Sequence, residues 1–492
     1  MITHVDLPNE LNLATWFVDR NVEEGRGDRT ALIGPAGAVS YAELVRLVNR
    51  CGNLLHELGV RAQDRVLLVL ADSVELVALW YGAQKIGAVT AEAYTFLQPK
   101  DYAYYLEYTD AALVVVDEAT EAAIRQVAGE RRVLVVDETF GQRLDEMSDE
   151  LDPASTTKDD VALWKFTTGS TGQPKGAVHP VHSPVLSNEW YAQGVLGIGE
   201  DDVVLPVPKL FFGYARDLTA LYPFGVGGAG IVFPERSTPE KIFELIGEHR
   251  PTILVNVPTM MAQMIDSVRH GRCQAPDMSC LRMCTSAGEA LPRELHDRWL
   301  DTFGVEVLDG IGSSELYHIY ISNRPGRVRS GSTGELVPGY EAELGENGEL
   351  MVTGDTAALF YFGDEEKTER TFDGDTVRTG DLFERDDDGF FWYRGRADDL
   401  IKVGGIWVAP AEIEHCLVGH PDVVECAVVG AAQNGLTVPR AYVVVRQPVE
   451  ETALQDFVRE RLSPHKYPRE VVFVDDLPKT PSGKLDRKAL LA

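Results

Sequence analysis

Alternation between short β-branched runs and helical apolar stripes constrains the fold of this chain more than any other feature. Arg65-Val66-Leu67-Leu68-Val69-Leu70 reads as a buried strand and residues 74–86 as a helix. Leu113-Val114-Val115-Val116 reads as a second strand, residues 118–127 as a helix, and Val133-Leu134-Val135-Val136 as a third strand. Strands that alternate with helices in this way predict an α/β fold with a parallel, doubly wound sheet. Ahead of them, Ser40-Tyr41-Ala42-Glu43 is a capping box for a helix whose apolar stripe runs through Leu44, Val48, Cys51 and Leu55. At 492 residues the chain exceeds the roughly 250–300 that one core can serve, so more than one domain is expected.

A second feature follows the apolar run Val161-Ala162-Leu163-Trp164. Thr167-Thr168-Gly169-Ser170-Thr171-Gly172-Gln173-Pro174-Lys175-Gly176 places three glycines, four hydroxyls and one lysine in ten residues. Glycines let a backbone turn tightly and approach a ligand, while hydroxyls, free N–H groups and a lysine suit phosphate oxygens. A flexible Gly/Ser connection has similar composition but seldom follows a buried strand so closely. The spacing is not Gly-x-x-x-x-Gly-Lys-Ser/Thr, which disfavours an ordinary P-loop NTPase.

Gly225-Val226-Gly227-Gly228-Ala229-Gly230 matches a dinucleotide fingerprint in letters only. It runs into an expected strand, Ile231-Val232-Phe233, and the next helix starts at Thr238-Pro239-Glu240, with Thr238 as its cap. These glycines are therefore read as packing residues, not as a nicotinamide or flavin site. Three further polar-glycine stretches end expected strands: 285–289, 309–315 and 378–381. Ligands of open α/β sheets lie beyond the carboxyl ends of strands, so the three can converge on one crevice. Gly395 to Gly405 is the expected domain boundary, giving units 1–397 and 398–492. Beyond it, strands at 426–429, 441–445 and 471–474, with a helix at 452–462, predict a small α+β unit.

A formal net charge of −31 argues against nucleic-acid or anionic-membrane partners, which need a basic footprint. No apolar run approaches the roughly 20 residues that span a bilayer, and Met1 to Asp6 lacks the features of a signal peptide. The six cysteines form no Cys-x-x-Cys pair and read as buried apolar residues of a reducing compartment. A cytoplasmic location is expected.

In order and spacing, the Thr167 loop, Gly312 to Glu315, Thr379 to Asp381, Gly395 to Asp399 and Pro478 to Lys484 resemble the adenylate-forming superfamily of acyl-CoA synthetases, peptide-synthetase adenylation domains and luciferases. Lys209 to Tyr214, Ser286 to Leu291 and Asp309 to Asn323 look most like benzoate-CoA and related aryl-CoA ligases. Phe212 stands where many superfamily members carry histidine, in agreement with that branch. The resemblance implies a large N-terminal domain with doubly wound sheets and a small mobile C-terminal domain hinged at Asp398. It also implies ATP, Mg²⁺ and coenzyme A, an acyl-AMP intermediate and a thioester product. A homodimer is compatible with it. Rival readings are an aryl-AMP ligase that loads a carrier-protein thiol, and a non-enzymatic nucleotide-binding regulator.

Residue by residue, the resemblance assigns the β- and γ-phosphates to Thr167, Thr168, Gly169, Ser170, Thr171, Gly172 and Lys175, and Mg²⁺ to Glu315. Asp381 matches the ribose acceptor and Arg396 a second nucleotide contact. Gly288, Glu289, Asp309 and Gly310 match the adenine-side walls. Gly404 and Gly405 match the pantetheine tunnel, and Lys402 a lysine near the acyl carboxylate or nucleotide, although a solvated linker is the plainer reading of 398–402. The acyl pocket falls on Gly213, Tyr214, Ala287, Gly312, His318 and Ile319, with His318 either a polar contact or a packed side chain. Gly213 replaces the alanine usual in benzoate ligases, which leaves room for a substituted or bicyclic acid without requiring one. Lys484 matches the lysine that bridges carboxylate and phosphate during adenylation. The Lys484→Ala variant is therefore expected to lose acyl-AMP formation yet still transfer a supplied acyl-AMP to coenzyme A. Equal loss in both half-reactions, assayed separately, would overturn the assignment.

Overall fold

The computed structural model describes residues 2–168, 173–403, 406–433, 436–479 and 485–491. The expected strands lie in a seven-stranded sheet whose order is Phe360–Tyr361, Pro174–Pro180, Val161–Thr168, Val89–Glu92, Arg65–Val69, Leu113–Asp117 and Val133–Val136. Pairing is parallel from Val161–Thr168 to Val133–Val136 and antiparallel at the other edge. Strand Val89–Glu92 is not visible as a strand in the sequence. Its four residues include Thr90 and Ala91, too short and too mixed to stand out as an apolar run, yet the first three are buried. It lies between Arg65–Val69 and Val161–Thr168, so that Arg65–Val69 has Val89–Glu92 on one side and Leu113–Asp117 on the other, the reversal that defines double winding.

A nine-stranded sheet carries the second half of the large unit. Its order is Glu335–Leu336, Ile319–Ser322, Val307–Gly312, Met283–Ser286, Ile253–Asn256, Val203–Pro206, Ala229–Ile231, Thr30–Gly34 and Gly37–Ser40. The glycine-rich run enters this sheet as a strand, two residues earlier than expected. A Cβ on Gly230 would lie 2.1 Å from the Thr219 carbonyl, so the glycine serves close packing. The helix Pro239–His249 begins where the cap placed it, with Thr238 Oγ1 accepting from the Lys241 N–H.

Helix Tyr41–Glu57 keeps its capping box, with Ser40 N–H donating to Glu43 Oε2 at 2.8 Å. It crosses helix Val74–Lys85 at two glycines, Gly52 and Gly82. The N-terminal segment is held by a polar staple. His4 Nε2 meets Asp159 Oδ1 at 2.7 Å, and Lys158 Nζ donates to the His4 carbonyl at 2.8 Å. His182 lies beside them, but its two ring nitrogens already face the carbonyls of Lys158 and Asp355 at 2.9 and 3.0 Å. The cluster thus ties segments together instead of presenting open metal ligands.

A five-stranded sheet that includes Thr376–Arg385 and Phe391–Arg396 leads towards the C-terminal unit. That unit has strands Val423–Gln433, Leu436–Val445 and Glu470–Phe473, with helices Pro410–Val418 and Glu451–Arg459. Its apolar cluster, including Ile401, Ile413, Val428 and Leu454, is separate from the other cores. No helix among the described residues is long and apolar enough to cross a membrane.

A methyl added at Gly82 would lie 2.8 Å from the Gly52 nitrogen and 2.9 Å from Cys51 Cβ. Backbone lines that contact, so the helices must separate. Gly82→Ala is expected to destabilise by about 1–3 kcal/mol, more than the roughly 1 kcal/mol that helix propensity returns. The midpoint of denaturant unfolding measures it; an unchanged or higher midpoint would refute the close crossing.

Candidate active site

The glycine loop joins two antiparallel strands. Thr167 pairs with Lys175 and Thr168 with Pro174, so the strands on either side of 169–172 run antiparallel up to the last described pair. Gly169, Ser170, Thr171 and Gly172 themselves lie outside the described residues. At the hairpin base Lys175 Nζ donates to Asp364 Oδ2 at 2.5 Å. Asp364 caps helix Glu365–Thr371, and the bond from Lys175 holds its carboxyl below the usual range. Nearby, Tyr361 donates its phenol hydrogen to Glu315 Oε1 at 2.6 Å, and the Glu315 carbonyl accepts from the Ala358 N–H at 2.8 Å. Burial first, then the Glu315 charge, pushes the Tyr361 phenol well up, so it remains a donor.

Asp381 and Arg396 face each other across paired strands, Arg396 Nη1 donating to Asp381 Oδ1 at 3.2 Å and to the Thr379 carbonyl at 3.0 Å. Gly380 has φ +70°, which turns the chain so that Thr379 Oγ1 accepts from the Asp381 N–H. Asp309 lies opposite Ser286 in the nine-stranded sheet. Its Oδ1 is buried without a hydrogen-bond partner among the described residues, and desolvation pushes its carboxyl up. Gly310 follows it on the same strand. Gly288 turns the chain with φ +85° after strand Met283–Ser286, and Glu289 Oε2 accepts from both Thr259 N–H and Oγ1, at 3.0 and 2.7 Å.

The acyl-pocket candidates meet around His318. Rings of Tyr191, Tyr214 and Tyr222 lie 5.5, 5.6 and 5.0 Å from its centroid. His318 Nε2 faces the Tyr214 carbonyl at 3.3 Å, while Nδ1 has no partner among the described residues. Tyr214 is oriented by its own bond to Thr285 Oγ1 at 2.7 Å. Ala287 and Ile319 are buried, and a Cβ on Gly312 would strike the His318 carbonyl at 2.4 Å. His318 is thus a packed side chain with one unused acceptor. Burial, then the Lys165 charge, holds it at about 3, and the same causes hold His179 at about 3; both are neutral imidazoles.

The room expected at Gly213 is occupied. Lys165, on the strand before the hairpin, places Nζ 2.8 Å from where a Gly213 Cβ would stand. Its ammonium donates to Asp217 Oδ2 at 2.5 Å and the Tyr317 carbonyl at 2.6 Å, and lies 3.6 Å from the Tyr317 ring centroid. Arg216 also bonds Asp217 and reaches Glu92 at 2.5 Å. Tyr317 has φ +70°, an unusual conformation for a non-glycine residue that marks local strain. Sequence reasoning missed this network. Its signal was a lysine inside the apolar run Ala162-Leu163-Trp164-Lys165-Phe166, a charge that needs a buried partner.

Other candidates stand apart. Lys402 is exposed on strand Ile401–Val403, its ammonium 5.3 Å from the Trp407 ring. Asp398 is exposed in the turn Ala397–Asp399, between the last strand of the large unit and Ile401–Val403. Gly404, Gly405 and Lys484 lie outside the described residues. The tail is tied down at Arg487, which bonds Glu414 Oε2 at 2.9 Å and pairs with Asp399 at 3.2 Å.

Strand-end carboxylates beside a cluster of packed aromatic rings, in a chain of two unequal units, point to a class. The family model for "AMP-binding enzyme" matches residues 18–362, and that for "AMP-binding enzyme C-terminal domain" matches 412–484. The chain belongs to the AMP-binding enzyme family. It is 39% identical to a benzoate–CoA ligase of Thauera aromatica over 98% of this chain and 96% of that protein. It is 38% identical to a 4-hydroxybenzoate–CoA/benzoate–CoA ligase of Rhodopseudomonas palustris, covering 98% and 94%. The crystal structure of the anthranilate CoA ligase AuaEII with anthranoyl-AMP superposes with a TM-score of 0.94 at 34% identity, over 100% and 98% of the chains.

Neutral, buried His179 and His318 have a consequence for acid stability. Their protonation lies near 3 in the folded state and near the ordinary 6.5 in the unfolded chain. The stability they contribute is full above 6.5 and is lost as pH falls towards 3. Each adds about 1.4 kcal/mol per pH unit to the decline within that window. In His179→Gln, the slope of unfolding free energy between pH 6 and 4 is expected to flatten by about that amount. An unaltered slope would mean that His179 is not held neutral.

Proposed function

We propose that this chain is an ATP-dependent aryl-CoA ligase, which activates an aromatic carboxylic acid as acyl-AMP and then transfers the acyl group to the thiol of coenzyme A. The observation that carries this reading is that one stretch, 309–319, holds the buried Asp309, Glu315 bonded by Tyr361, and Gly312 packed on His318; we assign Asp309 and Glu315 to the nucleotide side and Gly312, His318 and Ile319 to the acid. A carboxylate seated against the rings is thereby brought beside the place where phosphate is handled. Full-length similarity to benzoate and hydroxybenzoate ligases supports the same reading.

In the first step the acid's carboxylate oxygen bonds the α-phosphorus of ATP and pyrophosphate leaves. Both reactants are anionic, so positioning and charge stabilisation supply most of the rate. We assign the pyrophosphate to the Thr167 to Gly176 hairpin with Lys175, and the ribose hydroxyls to Asp381, steadied by Arg396. The adenine side belongs to Gly288, Glu289, Asp309 and Gly310; the unpartnered Asp309 Oδ1 suits a donor on the base. Tyr361 holds one oxygen of Glu315 and leaves the carboxylate able to offer a hard ligand to Mg²⁺. When bound, that ion screens phosphate charge. Lys484 serves the adenylation geometry, with Lys402 near the same reactants.

In the second step the thiolate of coenzyme A attacks the acyl carbon and AMP leaves. Gly404 and Gly405 give its pantetheine arm a path, and the 398–492 unit turns on Asp398 between steps. The separate apolar cluster of the C-terminal unit supports that division. The cytoplasm, which holds ATP and coenzyme A together, is the proposed location.

Pyrophosphate release is to be followed over aliphatic, benzoic, hydroxybenzoic and naphthoic acids, with coenzyme A and a carrier-protein thiol supplied as alternative acceptors. Aromatic-acid-dependent release and CoA thioester formation are expected; release with none of the acids refutes the enzyme reading. Glu315→Ala should raise the Mg²⁺ concentration for half-maximal release at least about tenfold, the scale of one lost charged ligand. An identical metal titration removes Glu315 from the metal shell.

A further inference from the structure

The buried cations beside the acyl pocket have a use beyond holding the fold. Lys165 is almost fully buried, yet it neighbours Gly213, a partly exposed residue that the aryl-CoA ligase reading assigns to the acyl pocket. Only the missing side chain at Gly213 lets the ammonium stand there, since a Cβ would lie 2.8, 2.9 and 3.2 Å from Nζ, Cε and Cδ. Two of its three N–H groups donate to oxygen, on Asp217 Oδ2 and the Tyr317 carbonyl; the ammonium also lies 3.6 Å from the Tyr317 ring centroid, a weaker contact that a phenolic oxygen can replace for the third N–H. We infer that Lys165 is a specificity-determining residue, whose remaining N–H donates across Gly213 to a hydroxyl oxygen on the aromatic ring of the acid. This rests on the aryl-CoA ligase reading and narrows it to ring-hydroxylated acids.

Charge accounting selects hydroxyl over the alternatives. Lys165 and Arg216 are balanced by Asp217 and Glu92, all four buried or nearly so, and joined by bonds of 2.5 to 2.8 Å. A second carboxylate on the ring would bring an unbalanced negative charge into this neutral cluster, and a buried unpaired charge is costly. A ring amine is a poor acceptor and sets N–H against N–H. A phenolic oxygen accepts from an ammonium without changing the net charge. Plain benzoate leaves the donor without a polar partner, a penalty that a site built around a hydroxyl imposes on its deletion analogue.

The groups facing Lys165 are Asp217 and Arg216 from helix Gly213–Ala220, Glu92 from strand Val89–Glu92, His179 from strand Pro174–Pro180, and Tyr317 with His318 from the turn before Ile319–Ser322. Desolvation lowers the lysine to about 8, against the pull of Asp217. The ammonium is therefore the main form at neutral pH and is lost in mild alkali.

The test compares kcat/KM for benzoate, the three monohydroxybenzoates, the aminobenzoates and the benzenedicarboxylates. In the parent enzyme at least one hydroxybenzoate should exceed benzoate by tenfold to hundredfold, the scale of one charge-assisted hydrogen bond. Aminobenzoates and dicarboxylates should not share that advantage. Above pH 8 the advantage should shrink through a rising KM, with kcat changing less. Lys165→Met with Asp217→Asn keeps the cluster balanced and should reduce the hydroxybenzoate-to-benzoate ratio to near one. Gly213→Ala, which keeps every charge and only displaces the ammonium, should lower the same ratio; it covers the case in which the double variant does not fold. If aryl-CoA forms but neither variant changes the ratio, or if benzoate matches every hydroxybenzoate, the inference is overturned while the ligase reading stands. Absence of any aryl-CoA product overturns both.

Discussion

Everything around His318 depends on burying two cations with two anions where the two large sheets meet. Lys165 comes from the seven-stranded sheet, Tyr317 from the turn that enters the nine-stranded one, and Arg216 and Asp217 from the helix between them. Removing any one charge would leave its partner desolvated, an effect of about 3–5 kcal/mol. The attraction alone does not explain why such a cluster exists, because a well-packed apolar replacement is often as stable. What the ion network supplies is location. It fixes the Tyr317 carbonyl, and with it the strained turn that places His318 among three tyrosines.

The site grows outward from that junction by simple geometry. Parallel strands deliver their carboxyl ends to one side, so Ser286, Asp309 and the turn to Glu315 arrive together. The antiparallel pair Thr376–Arg385 and Phe391–Arg396 adds a second direction, and its register sets Asp381 against Arg396. The loop hairpin adds a third. No single segment has the chemistry alone, which is why each polar-glycine stretch reads as an ordinary turn until its neighbours are known.

Much of this was legible in the chain. The Arg65, Leu113 and Val133 strands, the Ser40 and Thr238 caps and the false dinucleotide fingerprint all rest on local rules, and local rules hold where propensity and burial agree. Strand Val89–Glu92 escaped because its identity comes from neighbours on both sides. Order and spacing grouped the acyl-pocket candidates, and the structure sets Tyr214 and Gly312 against His318, with Ile319 next to it in the chain. Lys165 was not legible, because side-chain partners separated by about fifty residues leave no periodic trace. Gly213 shows the limit most clearly: its missing methyl reads as space, whereas the fold fills that space with a charge.

The pairing of Lys175 with Asp364 has a further consequence for the cell's anions. A lysine already satisfied at 2.5 Å does not act as an open positive charge. An incoming anion has to displace a carboxylate that also caps a helix, so singly charged species gain little by approaching. A polyphosphate, bearing several charges on adjacent groups, can draw the ammonium away and compensate for the broken pair. On the proposed phosphate role, the hairpin base then favours a ligand of high charge density over a singly charged anion, in a protein whose own surplus of acidic groups repels anions in general.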